Sequence, residues 1–170
     1  MSGPKAPRAA PREAARRPGQ PARARGAASW AGLPNGALVV VDTAPIICLL
    51  EAHPQFLERF IGLFEAEAAG DLHIAISTVT LAEVLTGPLR AGQSALAQRY
   101  EKALARFTWV PVDGAVAVSA AGLRARYGLK LPDAIQLATA LQVGAVALVT
   151  HDRDFARVEG LDILRGADPV

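Results

Sequence analysis

Cysteine is nearly missing from this sequence: Cys48 is the only one in 170 residues. That excludes an intramolecular disulfide framework, and a zinc site built on thiolates with it. Aromatic residues are scarce at 5%, so a core has to be assembled from Ala, Val and Leu rather than from large rings. No apolar run approaches the roughly 20 residues needed to cross a bilayer, and a membrane-spanning chain is not expected. What is abundant is apolar sequence, 51% of the chain. That suffices for a sizeable core, in a length that suits one ordinary domain.

The net charge of +2 conceals an uneven distribution. Residues 1–36 carry seven basic groups against one acid, Glu13, whereas the remainder carries 11 basic and 15 acidic groups. A mildly acidic domain, residues 37–170, is therefore preceded by a basic tail. The tail is rich in Pro, Ala, Gly and Arg and has no apolar period, so it reads as disordered. Arg16-Arg17 matches part of a twin-arginine signal, and the acid-poor start matches part of a transit peptide. No hydrophobic stretch follows the arginines, however, and the prolines interrupt any amphipathic helix. A flexible extension is the simpler reading, with non-specific phosphate binding second. With no address legible, a cytoplasmic protein is expected.

From Ala37 the pattern changes. Ala37 to Asp42 is a continuous β-branched run, as in a strand buried on both faces. Helical spacing follows over Thr43–Leu50, with Pro45 in its first turn, and over Pro54–Ala69, where Leu57, Phe60, Ile61 and Phe64 form a stripe widened by Phe56 and Leu63. Leu72–Ser77 reads as a second strand and Thr78–Leu85 as a helix stopped at Gly87-Pro88. A helix is expected over Ser94–Phe107, then an edge-like strand over Thr108–Val112 because of its proline. Helices are expected over Ala115–Tyr127 and Pro132–Val143, closed by Gly128 and Gly144, with strands at Val146–Thr150 and Leu161–Leu164. This alternation predicts an α/β fold with a mainly parallel sheet covered by helices.

The acids occupy telling places, because open parallel sheets gather functional groups beyond the carboxyl ends of their strands. Asp42 ends the first strand, Glu83 lies on the helix after the second, and Asp133 sits in the first turn of a helix. Asp152 and Asp154 follow the last long strand. Each also has a structural reading. Asp42 can cap a helix, Thr80-Leu-Ala-Glu83 matches a capping box, Asp133 suits a helix N-terminus, and Asp152 and Asp154 suit a turn. Taken together they point elsewhere. Carboxylates brought into one place repel unless a cation neutralises them, and all-oxygen ligands suit Mg2+ or Mn2+. Such a site, without a lysine-bearing phosphate loop, fits water attack on a phosphodiester. No Ser-His-Asp or Cys-His set is evident, and Cys48, in Ile-Ile-Cys-Leu-Leu, reads as core.

Four segments carry a resemblance. Val-Val-Asp42-Thr-Ala-Pro-Ile-Ile, Ile-Ser-Thr-Val-Thr-Leu-Ala-Glu83-Val-Leu-Thr-Gly, Leu-Pro-Asp133-Ala-Ile-Gln-Leu-Ala-Thr-Ala and Leu-Val-Thr-His-Asp152-Arg-Asp154-Phe resemble, in order and spacing, PIN-domain ribonucleases. The likeness is greatest to the VapC-type toxins of bacterial toxin–antitoxin pairs and runs from Leu38 to about Leu164. It implies a three-layer α/β/α PIN fold and a Mg2+- or Mn2+-dependent endoribonuclease. In it, Asp42, Glu83 and Asp133 are the core acidic ligands and Asp152 completes them, favoured over Asp154 because it lies nearer the strand end. Thr150 then orients a ligand or the attacking water. A homodimer and a cognate antitoxin that inserts a peptide into the groove are also implied. No family role transfers to the basic tail.

An acidic domain must grip RNA through local patches. Lys130 and Arg153 are the candidates nearest the acids. Arg126 and Arg90 are weaker ones, as are Trp109 and Tyr127 as stacking surfaces; His151 reads as a neighbour of the cluster rather than a general acid. Two other functions compete. An aspartate-nucleophile phosphatase is disfavoured because Asp42-Thr-Ala lacks a second Asp two residues on. A non-catalytic PIN-like module that binds RNA or a partner is the other alternative.

Overall fold

The computed structural model describes residues 30–166, apart from the side chains of Ala31, Gln55 and Phe56. Residues 1–29 of the expected tail, residues 167–170, and the Phe56 side chain assigned to a helical stripe lie outside the described residues. The chain runs β1 (Ala37–Val41), α1 (Thr43–Leu50), α2 (Pro54–Ala69), β2 (Leu72–Ser77), α3 (Thr78–Arg90), α4 (Ser94–Leu104), β3 (Thr108–Val110), α5 (Gly114–Tyr127), α6 (Leu131–Gln142), β4 (Ala147–Val149) and β5 (Asp162–Leu164). The strands lie in the order β3-β2-β1-β4-β5, and each neighbouring pair is parallel.

The two-residue period of β1 sorts its valines between two cores. Val39 and Val41 pack with Ile46 of α1, Phe60 and Leu63 of α2 and Leu104 of α4. Val40 faces the other way, onto Val116 and Ala120 of α5 and Leu137 of α6. Helices α1–α4 therefore cover one face of the sheet and α5 and α6 the other, giving three layers. The expected α/β/α architecture is present, with every described strand pair parallel. Strand order reverses at β1: the chain steps outward to β2 and β3, then crosses back to β4 on the opposite side. A switch of this kind opens a crevice beyond the carboxyl ends of the strands beside it. Among the described residues no helix is long and apolar enough to cross a membrane.

Local chemistry moved several boundaries. Helix α3 continues through Gly87-Pro88 to Arg90, and the Pro88 ring is buried. Its packing offsets the hydrogen bond a proline cannot donate, and the helix stops at Ala91, before Gly92 at φ 69. Helix α4 ends at Leu104 rather than Phe107, where the Leu104 carbonyl accepts from the Trp109 indole at 2.9 Å. Strand β3 stops at Val110 because Pro111 has no N–H for the ladder. Cys48 is half-buried on α1 rather than in the core. The packed chain also begins before the expected boundary at Ala37. Trp30 and Leu33 rest on the first core, the Trp30 ring lying 6.5 Å from that of Phe60, and the Gly36 N–H donates to Asp71 at 2.7 Å. The signal was available: Trp30 and Leu33 are the large apolar residues of an otherwise small and polar segment.

Trp30 should thus behave as part of the domain. Replacing it with Ala is expected to cost about 2 kcal/mol, roughly 5 °C in Tm by thermal unfolding; an unchanged Tm would place the boundary back at Ala37.

Candidate metal centre

The parallel register brings the carboxyl ends of β1, β2 and β4 to one edge of the sheet. Asp42 follows β1 there and caps α1, its Oδ1 accepting from the Thr43 N–H at 2.7 Å. Its Oδ2 accepts from the Thr150 hydroxyl, also at 2.7 Å. Thr150 follows β4 and is fully buried. The same hydroxyl oxygen accepts the Asp152 N–H at 3.0 Å. One threonine thereby ties the acid after β1 to the acid after β4. Asp152 in turn caps a 3-10 turn, Arg153–Arg157, its Oδ1 accepting from the Asp154 N–H at 2.8 Å.

Asp133 enters from the other helical layer, in the first turn of α6 behind Pro132. Asp133, Asp152 and Asp154 each bring one carboxylate oxygen to a group whose members all lie within 4.8 Å of one another. One oxygen of Asp133, Oδ2, is buried and has no hydrogen-bond partner. Asp42, Glu83, Asp133 and Asp152 line one cleft of about 440 Å³, together with Thr43 and His151. Glu83 stands outside the tight group. It is exposed on α3, and its Oε2 accepts from the Thr43 hydroxyl. Its capping-box reading fails, because Ser77 caps α3 by accepting from the Val79 N–H at 3.1 Å.

The electrostatics are those of neighbouring, partly buried acids. Burial first, then the charges of Asp42 and Asp152, push the Asp133 carboxyl up to about 6; Lys130 opposes the shift. Burial also raises Asp42, against the stabilising hydrogen bonds from Thr150 and Thr43. A carboxylate with one buried oxygen lacking a donor, grouped with further carboxylates, is an unfavourable arrangement that a divalent cation would relieve. The donor set is all oxygen, which fits Mg2+ or Mn2+ rather than a soft metal.

The remaining candidates do not line this cleft. Lys130 and Arg153 are exposed, the Lys130 Nζ lying 3.7 Å from Asp154 Oδ2. Arg126 is 3.3 Å from Glu159 and sits 4.9 Å over the Tyr127 ring, which occupies both residues. Arg90 ends α3, and Trp109 spends its indole N–H on Leu104. Sequence reasoning put Asp152 ahead of Asp154. Asp152 alone of the two lines the cleft, yet Asp154 belongs to the tight group. The residues it missed are Thr43, Thr80 and Gln136, which are buried polar groups behind the acids. The available signal was Gln136, a lone amide in the apolar stripe Ala-Ile-Gln-Leu-Ala.

Comparison with known proteins decides the family. The sequence profile of the PIN domain matches residues 39–161. This chain belongs to the PIN domain family. Among solved structures, a chain of a toxin–antitoxin complex from Klebsiella pneumoniae is 32% identical with a TM-score of 0.58, covering 72% of this chain and 94% of that one. A chain of the VapBC-5 toxin–antitoxin system of Mycobacterium tuberculosis is 26% identical, with a TM-score of 0.52 and coverage of 76% and 98%. VapC20 of the same organism, a sarcin–ricin-loop-cleaving toxin, shares the PIN fold at 18% identity and a TM-score of 0.57, with coverage of 74% and 98%. No curated protein sequence matches.

The raised Asp133 carboxyl has a measurable consequence for the protein stripped of metal. Its proton is held more tightly folded, at about 6, than at the ordinary 3.8. Stability from this group therefore rises as pH falls through 6 and is lost above it. Asp133→Asn is expected to raise the metal-free Tm at pH 7.5 by about 3 °C, solvent screening allowed for, and to lose that gain near pH 4. A gain equal at both pH values would remove Asp133 from the charged cluster.

Proposed function

We propose that this PIN-family chain is a divalent-metal-dependent endoribonuclease, with Mg2+ or Mn2+ as the ion, acting as the toxin of a type II toxin–antitoxin pair. The observation that carries this reading is half-buried Asp133, with one carboxylate oxygen unpartnered, grouped with Asp152 and Asp154 and raised further by the charge of Asp42. Asp42, Glu83, Asp133 and Asp152 would hold the ion, with Asp154 as an exposed neighbour. When bound, the ion lowers the pKa of an attacking water and offsets the charge building on the phosphoryl oxygens.

The chain's own residues do the rest. The Thr43 N–H and Thr150 hydroxyl pin both oxygens of Asp42, so the carboxylate cannot rotate away from the cleft. Thr150 at the same time fixes the backbone of Asp152. Lys130 and Arg153, exposed and within three residues of Asp133 and Asp152 in sequence, supply positive charge for a phosphate backbone in an otherwise acidic domain. The likeness to the Klebsiella toxin–antitoxin chain supports a cognate antitoxin as partner. Exposed Val118 of α5 and Leu141 of α6 support a second copy as another, and a cytoplasmic location goes with this reading.

RNA cleavage is expected to stop with EDTA and return with Mg2+ or Mn2+. Asp133→Asn is expected to reduce it by more than about a hundredfold, beyond the range of outer-shell changes, with the circular dichroism spectrum unchanged. Full cleavage by that variant at equal purity would overturn the site assignment. Metal binding without cleavage of any RNA would favour the non-catalytic binding module.

A further inference from the structure

Glu83 is the acid whose position is hardest to explain. It lies on the exposed side of α3, on a long side chain with three rotatable bonds, and ordering such a chain costs entropy. Its carboxylate is nevertheless turned to the Thr43 hydroxyl at the cleft. Behind Thr43 lies a file of buried polar groups drawn from three helices. The Thr43 and Thr80 hydroxyls are 3.1 Å apart, and the Gln136 amide nitrogen is 2.8 Å from Thr80 Oγ and 3.4 Å from Thr43 Oγ. Thr80 is fully buried and Gln136 is 1% exposed.

The hydrogens of this file run in one direction. An ionised carboxylate has none to give, so the Thr43 hydroxyl donates to Glu83. That uses the single hydrogen of Thr43, so the contact between the hydroxyls is made by Thr80. Thr80 then has none left, and the Gln136 contact requires an N–H, which only the amide nitrogen supplies. Gln136 of α6, Thr80 of α3 and Thr43 of α1 thus hand donors forward to the acid. The file crosses from the α5–α6 layer to the α1–α4 layer beyond the sheet edge.

Resting on the metal-site reading above, we infer that Gln136, Thr80 and Thr43 are positioning residues that aim the Glu83 carboxylate into the cleft as a metal ligand. None of the three touches the ion; each acts through the next. Glutamate at 136 would not serve, because at neutral pH it accepts where the file needs a donor and adds a buried charge.

Calorimetric titration of the metal-free full-length chain with Mn2+, without RNA, tests this. Thr43→Val keeps the shape and the backbone N–H to Asp42 but removes the donor, and Gln136→Met removes the head of the file. Each is expected to weaken Mn2+ binding about tenfold, the usual cost of losing an outer-shell partner. Thr43→Ser, which restores the hydroxyl, should stay within about threefold of wild type. In a Glu83→Gln background Thr43→Val should cause no further loss, since the group it orients is already gone. Should Thr43→Val fail to fold, Thr80→Val breaks the same file one link back and carries the same comparison. If wild type binds Mn2+ and Thr43→Val binds it equally well, the relay is wrong while the metal site stands. A further tenfold loss in the Glu83→Gln background also overturns the relay, because Thr43 would then be acting on the fold at large. If wild type itself binds no Mn2+, the metal-site reading fails and the relay falls with it.

Discussion

Like charge concentrated at one edge of the sheet is the constraint around which this molecule is arranged. Carboxylates from the ends of β1 and β4 and from the start of α6 line one cleft, and partial burial with the charges of Asp42 and Asp152 pushes Asp133 up to about 6. An unpartnered buried polar atom costs on the order of 1–3 kcal/mol in a protein, and mutual repulsion adds to it. The two cores offset this cost: among the described residues, fourteen buried on one face of the sheet and thirteen on the other provide the apolar burial that holds the edge together. The basic groups acting on the cluster, Lys130 and His151, are both exposed and offset little of its charge.

Geometry at the switch between β1 and β4 turns this strain into a site. Asp42 has two tasks at one position, capping α1 through Oδ1 and meeting Thr150 through Oδ2. Thr150 is the joint of the arrangement, because its single hydroxyl donates to Asp42 and accepts from Asp152. Such doubled roles let one acid cap a helix and line the cleft at the same position. A helix cap aims a carboxylate as firmly as it stabilises a helix.

Much of this was legible beforehand, for identifiable reasons. The β-branched run of β1 and the turn residues Gly128 and Gly144 have strong local signatures, so the parallel α/β order followed. The acids could be read because strand ends in such a sheet are predictable places. What escaped depended on tertiary contact. Pro88 sits inside α3 because its ring is buried, which no local rule conveys. Trp30 belongs to the domain because Phe60 is there to receive it. Gln136 was absorbed into an apolar stripe, and only the proximity of Thr80 and Thr43, 56 and 93 residues away in sequence, gives its amide a purpose.

The central claim is that these carboxylates share a bound divalent ion. Anomalous diffraction from a crystal of the full chain soaked in Mn2+ measures this directly. The account predicts an anomalous peak in the cleft, coordinated by Asp42, Glu83, Asp133 and Asp152 oxygens, with Asp133 Oδ2 no longer unpartnered. A cleft without a peak, with an arginine or lysine side chain folded in among those oxygens instead, would contradict it.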